Sequence, residues 1–365
     1  MPSLRPRFWG ELNAIIEKNN LYKVDGSIAS YETRAKRREV IHAGFRYLAS
    51  AGCRLTSPIQ FKEKHMKKLV PYWEKENIAD IQTRISIFRT FGNHWIRKPG
   101  MIKESERYAN NPQSVKRKYV TNVDKTWTGH GVDVLDMVQK VTVLDARVGL
   151  LMELGVAFGT RLKEAMGLHP HTDLRTTENE DGEKREYIHV RNGKGSRQRD
   201  IEIEQSGPLR DYQIDLIERA KAIAARPGAS LIQDGKSAAY QRNRVYYILR
   251  KAGVTRKLNG VTFHGLRHEY AVAYYERRTG VAAPLKGDPE KPDSALDQKT
   301  REDLSENLGH SRITILGCYI GSRHRPIPQS EKPEAAKAGE EDVNKGVQDA
   351  TVAKTDPKKL DPKGE

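Results

Sequence analysis

Apolar positions in the first hundred residues recur at helical spacing. Phe8, Leu12, Ile15 and Ile16 form one stripe. Val40, Ile41, Phe45 and Leu48 mark one face of a second helix over 31–49, with Arg34, Lys36, Arg37 and Arg38 around it. Phe61, His65, Leu69 and Trp73 step by four after Pro58, which suits a helix start, and Pro71 predicts a break or kink. Ile81, Ile85, Phe88 and Trp95 make a fourth stripe. Four short helices with basic outer faces predict a small bundle. Its Phe and Trp residues are expected in the core rather than stacked on nucleic-acid bases.

Helical spacing returns at Val132. Leu135, Val138 and Val141 lead into Leu144 and an apolar run over 148–158. That run is short for a bilayer and holds Glu153, so it predicts a buried core helix, ended by Gly159-Thr160. Arg161 opens a short helix with Glu164 one turn on. Positions 187–190 and 199–203 alternate as strands, and Asn192-Gly193 between them signals a tight turn with Lys194 at or beside its tip. The charged segment 178–186 reads as a loop. Helices are predicted over 208–226 and 237–251. The second carries Arg242, Arg244, Arg250 and Lys251 with Tyr240, Tyr246 and Tyr247. It is either a stripe suited to a major groove or a solvated face with its tyrosines in the core. A helix over 264–278, a Gly/Pro-rich loop over 280–292 and a helix over 296–308 follow. Gly309 stops that helix, His310 falls in the turn, and 311–314 open a short helix before Tyr319. The fold class is mainly α with a small β-hairpin or sheet in the second domain (α+β).

Composition changes this picture in three ways. The net charge of +16 and pI of about 9.6 favour a polyanionic partner, nucleic acid before an anionic membrane, over a merely basic solubilising surface. Residues 327–365 hold seven Lys against nine acids and no aromatic, so the positive excess lies wholly before them. That tail is expected to be disordered, or to dock a short helix on a neighbour. Only Cys53 and Cys318 are present, which excludes a disulfide framework or Cys-based zinc site and fits a reducing cytosol. No apolar run follows a basic start and none approaches a membrane span, so the expectation is a cytoplasmic, nucleoid-associated protein. The boundaries read as 1–125 for the helical domain with a basic connector over 97–125, 126–326 for the second domain, and 327–365 for the tail.

The candidate chemistry gathers near the C-terminal end. His264 and Arg267, three apart near a helix start, share a face. His310 follows, and Tyr319 lies nine positions after it. Those residue types assemble a phosphate clamp and a nucleophile. An Arg at a buried junction such as Arg161 needs a counter-charge or an anion; an ordinary Arg161–Glu164 pair is the plain alternative. A lone Lys194 in a turn would ordinarily be only solvated. His268-Glu269 begins like a zinc-protease motif, but Val272 stands where the second His belongs. His169 and His171 flank Pro170 and read as loop residues. Gly193-x-Gly195 lacks a third glycine, and there is no Walker loop.

Taken together, His264-x-x-Arg267, Leu308-Gly309-His310 and Tyr319 resemble the C-terminal signature of the tyrosine recombinases, the phage-type integrase family. Gly159-Thr160-Arg161-Leu162-Lys163-Glu164 resembles the family's first-arginine box. Asn192-Gly193-Lys194-Gly195, followed by Arg199, resembles its lysine hairpin. The resemblance spans about residues 132–325. It implies a helical core-binding domain followed by a catalytic domain that cleaves and rejoins DNA through a 3′-phosphotyrosyl intermediate, with no cofactor and no metal. Tyr319 would be the nucleophile, and Arg161 and Arg267 the donor forks on the phosphate. Lys194 would be the general acid. His264 would bond the phosphate and manage the tyrosine proton, His310 would donate to a phosphate oxygen, and Glu164 would orient the first-arginine helix or His264. The implied partners are double-stranded DNA, further copies of the chain in a tetramer on DNA, and DNA-bending accessory proteins. The implied role is integration or excision of a mobile element. The rival readings are a type IB topoisomerase-like relaxation enzyme and a DNA-binding protein without catalysis; the complete six-residue set argues against the latter.

Overall fold

The computed structural model describes residues 4–116, 120–121, 123–178, 182–191, 193, 197–224, 226–287, 290–310 and 312–322. The chain divides into two compact units, Met1–Tyr119 and Val120–Glu365. The expected disordered tail over 327–365, like Lys194, lies outside the described residues.

The first unit is a bundle of α1 (Pro6–Asn19), α2 (Tyr31–Ser50), α3 (Glu63–Lys75) and α4 (Ile81–Thr90). The stripes read from the sequence become its core: Phe8, Leu12, Ile16, Val40, Phe45, Phe61, Leu69 and Phe88 are wholly buried. Burying side chains of this size stabilises by about 1.5–3 kcal/mol each. Caps set the helix starts. The Ser30 hydroxyl accepts from Thr33 N at 3.2 Å, and His65 Nδ1 accepts from Lys62 N at 2.9 Å. Two expectations need correction. Helix α3 runs on through Pro71, because Leu69, Val70 and Trp73 stay buried on its inner face despite the bond that proline removes. The segment after α4 is no plain connector: Ile102, Tyr108 and Val115 pack into the bundle core.

The second unit is built on α6 (Ala146–Phe158), buried nearly all round. Preceding it is α5 (Val134–Leu144), and a short α7 (Leu162–Met166) follows. Gly159 ends α6 in a left-handed conformation (φ 60°), and a Cβ there would come within 2.4 Å of the Tyr270 ring. A three-stranded antiparallel sheet comes next: β1 (Leu174–Glu178), β2 (Lys184–Val190) and β3 (Arg199–Glu202), in that order. Helices α8 (Pro208–Ile223), α9 (Ala238–Lys251), α10 (Arg256–Asn259), α11 (Phe263–Thr279), α12 (Ser294–Asn307) and α13 (Gly317–Ile320) complete it. The α6 and α11 backbones approach closely at Gly155, where a Cβ would meet Leu266 at 3.3 Å.

Several local readings are overturned. The segment 178–186, read as a loop, is strand at both ends: Glu178 closes β1 and residues 184–186 open β2, the two pairing from Leu174↔Ile188 to Glu178↔Lys184. The β2–β3 pairing ends at Val190↔Arg199, and the tight turn expected at Asn192-Gly193 falls on a stretch whose residues 192 and 194–196 lie outside the described ones. Leu135 is 72% exposed and sits off the core stripe. Tyr240, Tyr246 and Tyr247 are exposed on α9 beside Arg242 and Arg250, which removes the reading that puts those tyrosines in the core. The loop expected over 280–292 is found at its described residues, with one short turn, Pro284–Lys286, and with Ala283 and Leu285 buried.

Candidate active site

The site forms where α7, the start of α11, the turn after α12 and α13 meet. At its base lies Glu164, whose side chain is 2% exposed. It accepts from Arg161 N at 2.8 Å and Arg161 Nη1 at 2.6 Å. Arg199, at the start of β3, clamps the same carboxylate with Nη1 at 3.0 Å and Nη2 at 2.8 Å. Arg267 Nη1 stands 3.8 Å away. Burial alone would push the Glu164 carboxyl up, but Arg199 and then Arg161 hold it down at about 2. The sequence offers either a counter-charge or an anion for Arg161; the structure supplies the counter-charge, and makes it a buried one.

Arg267 is wholly buried on the first turns of α11. Its Nε donates to the Tyr319 hydroxyl at 3.3 Å, and Nη1 to Gly159 O at 2.5 Å. Nη2 donates to Leu308 O and, at 3.4 Å, to His310 Nε2. Burial lowers its pKa to about 10, so the guanidinium remains charged at neutral pH. Tyr319 is 6% exposed and is ringed by imidazoles. Its ring centroid lies 4.6 Å from His268, 5.4 Å from His310 and 6.0 Å from His264.

His264 faces solvent on one side. Desolvation on its inner side, then Arg267, Arg161 and Lys125, lower its pKa to about 4. His268 is buried, and desolvation followed by His264 and Lys125 lowers it to about 3. Both rings are therefore neutral at pH 7.

Five of the six expected catalytic residues converge: Arg161, His264, Arg267, His310 and Tyr319, with Glu164 beneath them. The sixth, Lys194, lies outside the described residues, in sequence within the β2–β3 connection. Arg199 and His268 were not among the expected site residues. Arg199 also donates through Nε to Asn307 O at 2.8 Å, linking the sheet to the turn that carries His310. No local pattern announces a contact 35 residues away; its only signal was its place at the end of the lysine hairpin. His268 had a better signal, one position beyond Arg267 on a buried helix. Among the described residues, no group of three or more His, Cys, Asp or Glu could hold a metal ion, and no helix is long and apolar enough to cross a membrane.

Residues 118–273 match the family model described as Integrase. The match includes His264 and Arg267 and ends before His310 and Tyr319. No curated protein matches the sequence. Among solved structures, the chain is similar to a lambda integrase (residues 75–356) dimer bound to a COC′ core site, at 16% identity and TM-score 0.55, covering 86% of this chain and 95% of that one. It is also similar to a lambda integrase tetramer bound to a Holliday junction, at 17% identity and TM-score 0.51, covering 81% and 77%. At these identities the likeness is one of fold.

Proposed function

We propose that this chain is a site-specific DNA recombinase of the tyrosine-recombinase type acting through Tyr319, a reading supported by the match of residues 118–273 to the Integrase family model. The observation that carries the reading is the Arg267–Tyr319 contact at 3.3 Å inside a ring of imidazoles and beside a buried guanidinium.

The Tyr319 oxygen attacks the scissile phosphorus, forms a bond to the 3′-phosphate and expels the 5′-oxygen. The covalent step divides one hard displacement into two and conserves the bond for rejoining. A phenol must lose its proton to attack. Neutral His264 can receive it, and an arriving phosphate raises that ring's proton affinity by placing negative charge beside it. Arg267 stabilises the phenolate as it forms and then the phosphate oxygens that replace it. Arg161, held by Glu164, presents its remaining donors from the other side. His310 donates to a phosphate oxygen. Lys194 returns a proton to the departing 5′-oxygen; this assignment rests on the lysine hairpin that its loop resembles.

DNA is held by charge that positions rather than specifies. The basic outer faces of the first unit and the exposed Arg/Tyr face of α9 are suited to it. Strand exchange needs two duplexes and several active sites, so the working form is an assembly of copies on DNA, four for a complete exchange. Integration or excision of a mobile element, with DNA-bending accessory proteins, is the corresponding biological role.

The test starts from a duplex that the protein itself selects from a random pool. A plasmid carrying two copies of that site should yield deletion or inversion products. If supercoiled plasmid is relaxed regardless of the site and no recombinant appears, the topoisomerase-like alternative replaces this reading.

A further inference from the structure

Tyr319 lies on α13, a helix of four residues. A helix so short does not hold itself, because nucleation is unfavourable without several turns to propagate. The position of the nucleophile is therefore set by what is fastened to it.

One short stretch is fastened to both site-bearing elements. Thr121 N donates to Gly317 O, the first residue of α13, at 2.8 Å. A few residues on, Trp127 N and Thr128 N donate to Glu269 Oε2 at 2.9 and 3.2 Å, and the Thr128 hydroxyl donates to Oε1 at 2.7 Å. Trp127 is wholly buried and its Nε1 donates to Thr262 O at 2.8 Å, directly before α11. Asp124 stiffens the stretch by accepting from Thr126 N at 2.8 Å and its hydroxyl at 2.7 Å. The segment lies flat on the turn that carries His264 and Arg267. A Cβ on Gly265 would come within 2.8 Å of Lys125 O and 2.7 Å of the Trp127 ring.

We propose that Thr121 and residues 123–128 form a strap that positions Tyr319 against the His264–Arg267 turn, with Glu269 as the positioning residue that fastens it. Glu269 contacts neither nucleophile nor phosphate in this scheme. It holds the strap to α11, and the strap reaches α13 through Thr121. Chemically equivalent anchoring inside the hydrophobic core would stabilise the fold alone. These bonds instead end on the two elements whose separation sets the distance from Tyr319 to Arg267.

The inference rests on the proposed reaction, so its test has one arm that needs no chemistry. 3-Fluorotyrosine at position 319 gives a ¹⁹F signal from the full-length protein without DNA. The parent should show one sharp resonance, and Glu269→Ala a shifted or broadened one. On a nicked duplex that traps the covalent adduct, Glu269→Ala should slow adduct formation by about a hundredfold, as a misplacement of about 1 Å does. DNA affinity should stay at the parent value. Glu269→Gln keeps an acceptor for the backbone donors and should recover most of the rate. Thr128→Val removes one exposed hydroxyl donor and should lose rate in the same direction, which keeps the test open if Glu269→Ala does not fold. An unchanged ¹⁹F signal overturns the strap. So does an unchanged adduct rate, or a fall in DNA affinity that matches the fall in rate. If the parent itself forms no adduct, the proposed function fails, and the ¹⁹F arm still judges the strap.

Discussion

Arg267 Nε and the Tyr319 hydroxyl oxygen stand 3.3 Å apart, and the arginine is wholly buried. One guanidinium also serves Gly159 O and Leu308 O. A lysine is a single point charge and cannot serve three acceptors spread over that plane. Arg267→Lys should therefore slow adduct formation by about a hundred- to a thousandfold, the scale for losing a preorganised donor to developing charge. Single-turnover cleavage of a nicked duplex measures this, and equal rates would contradict it.

Glu164 is the anion among Arg161, Arg199 and Arg267. Glutamine there removes the counter-charge from three guanidiniums and keeps one acceptor oxygen, so the donors on the other oxygen, such as Arg161 N and Arg199 Nη2, face an amide NH2 instead. Glu164→Gln should lower stability by about 3–5 kcal/mol, the usual result of breaking a buried pair from one side. Urea denaturation of the full chain reads this directly; an unchanged midpoint would show that the carboxylate is not the keystone of the cluster.

Acid should weaken the site through three groups acting in the same direction. His264 and His268 fall from an ordinary 6.5 to about 4 and about 3 on folding, and Glu164 from 4.5 to about 2. In each case the unfolded chain binds protons that the folded chain refuses. Their contribution is whole above about pH 6.5, shrinks as pH falls through the histidine window and then the carboxylate window, and is lost near pH 2. Histidine NMR titration of the DNA-free protein should find no charging of His264 or His268 near 6.5. A midpoint there for either ring would contradict the desolvated site.

Gly309 separates the helix that ends at Asn307 from His310. Its φ is 64°, and a Cβ would come within 2.8 Å of Arg199 Cδ. Alanine there should cost about 1–2 kcal/mol for the left-handed backbone alone. It should cost more through Arg199, which must move off Glu164. In an Arg199→Ala background the second part should vanish, so a double-mutant cycle in urea should show coupling. Additive losses would mean that Gly309 and Arg199 act independently.

The elements legible in the sequence were those whose burial repeats along one face. Helices α2 and α11 were found nearly to their ends because Phe45 and Leu266 each recur with apolar neighbours a turn away, whereas α3 starts at Glu63 rather than near Pro58. Strand β1 was not legible because four of its five residues are exposed and nothing alternates. Leu135 was assigned inward because spacing cannot tell a core stripe from an apolar residue beside it. The site showed the same division. Residues in the His264–Arg267 and Gly159–Glu164 boxes declare themselves locally. The bonds from Glu164 to Arg199 and from Glu269 to Trp127 join positions 35 and 142 apart, and only the folded backbone brings those together.

The central claim concerns which oxygen bonds to phosphorus. Trapping the adduct on a nicked duplex, digesting both components and sequencing the modified peptide by mass spectrometry identifies it. The account predicts a nucleotide joined through its 3′-phosphate to Tyr319, and no adduct with Tyr319→Phe although that variant still binds the duplex. A nucleotide found on another residue, or an adduct formed by Tyr319→Phe, would contradict it.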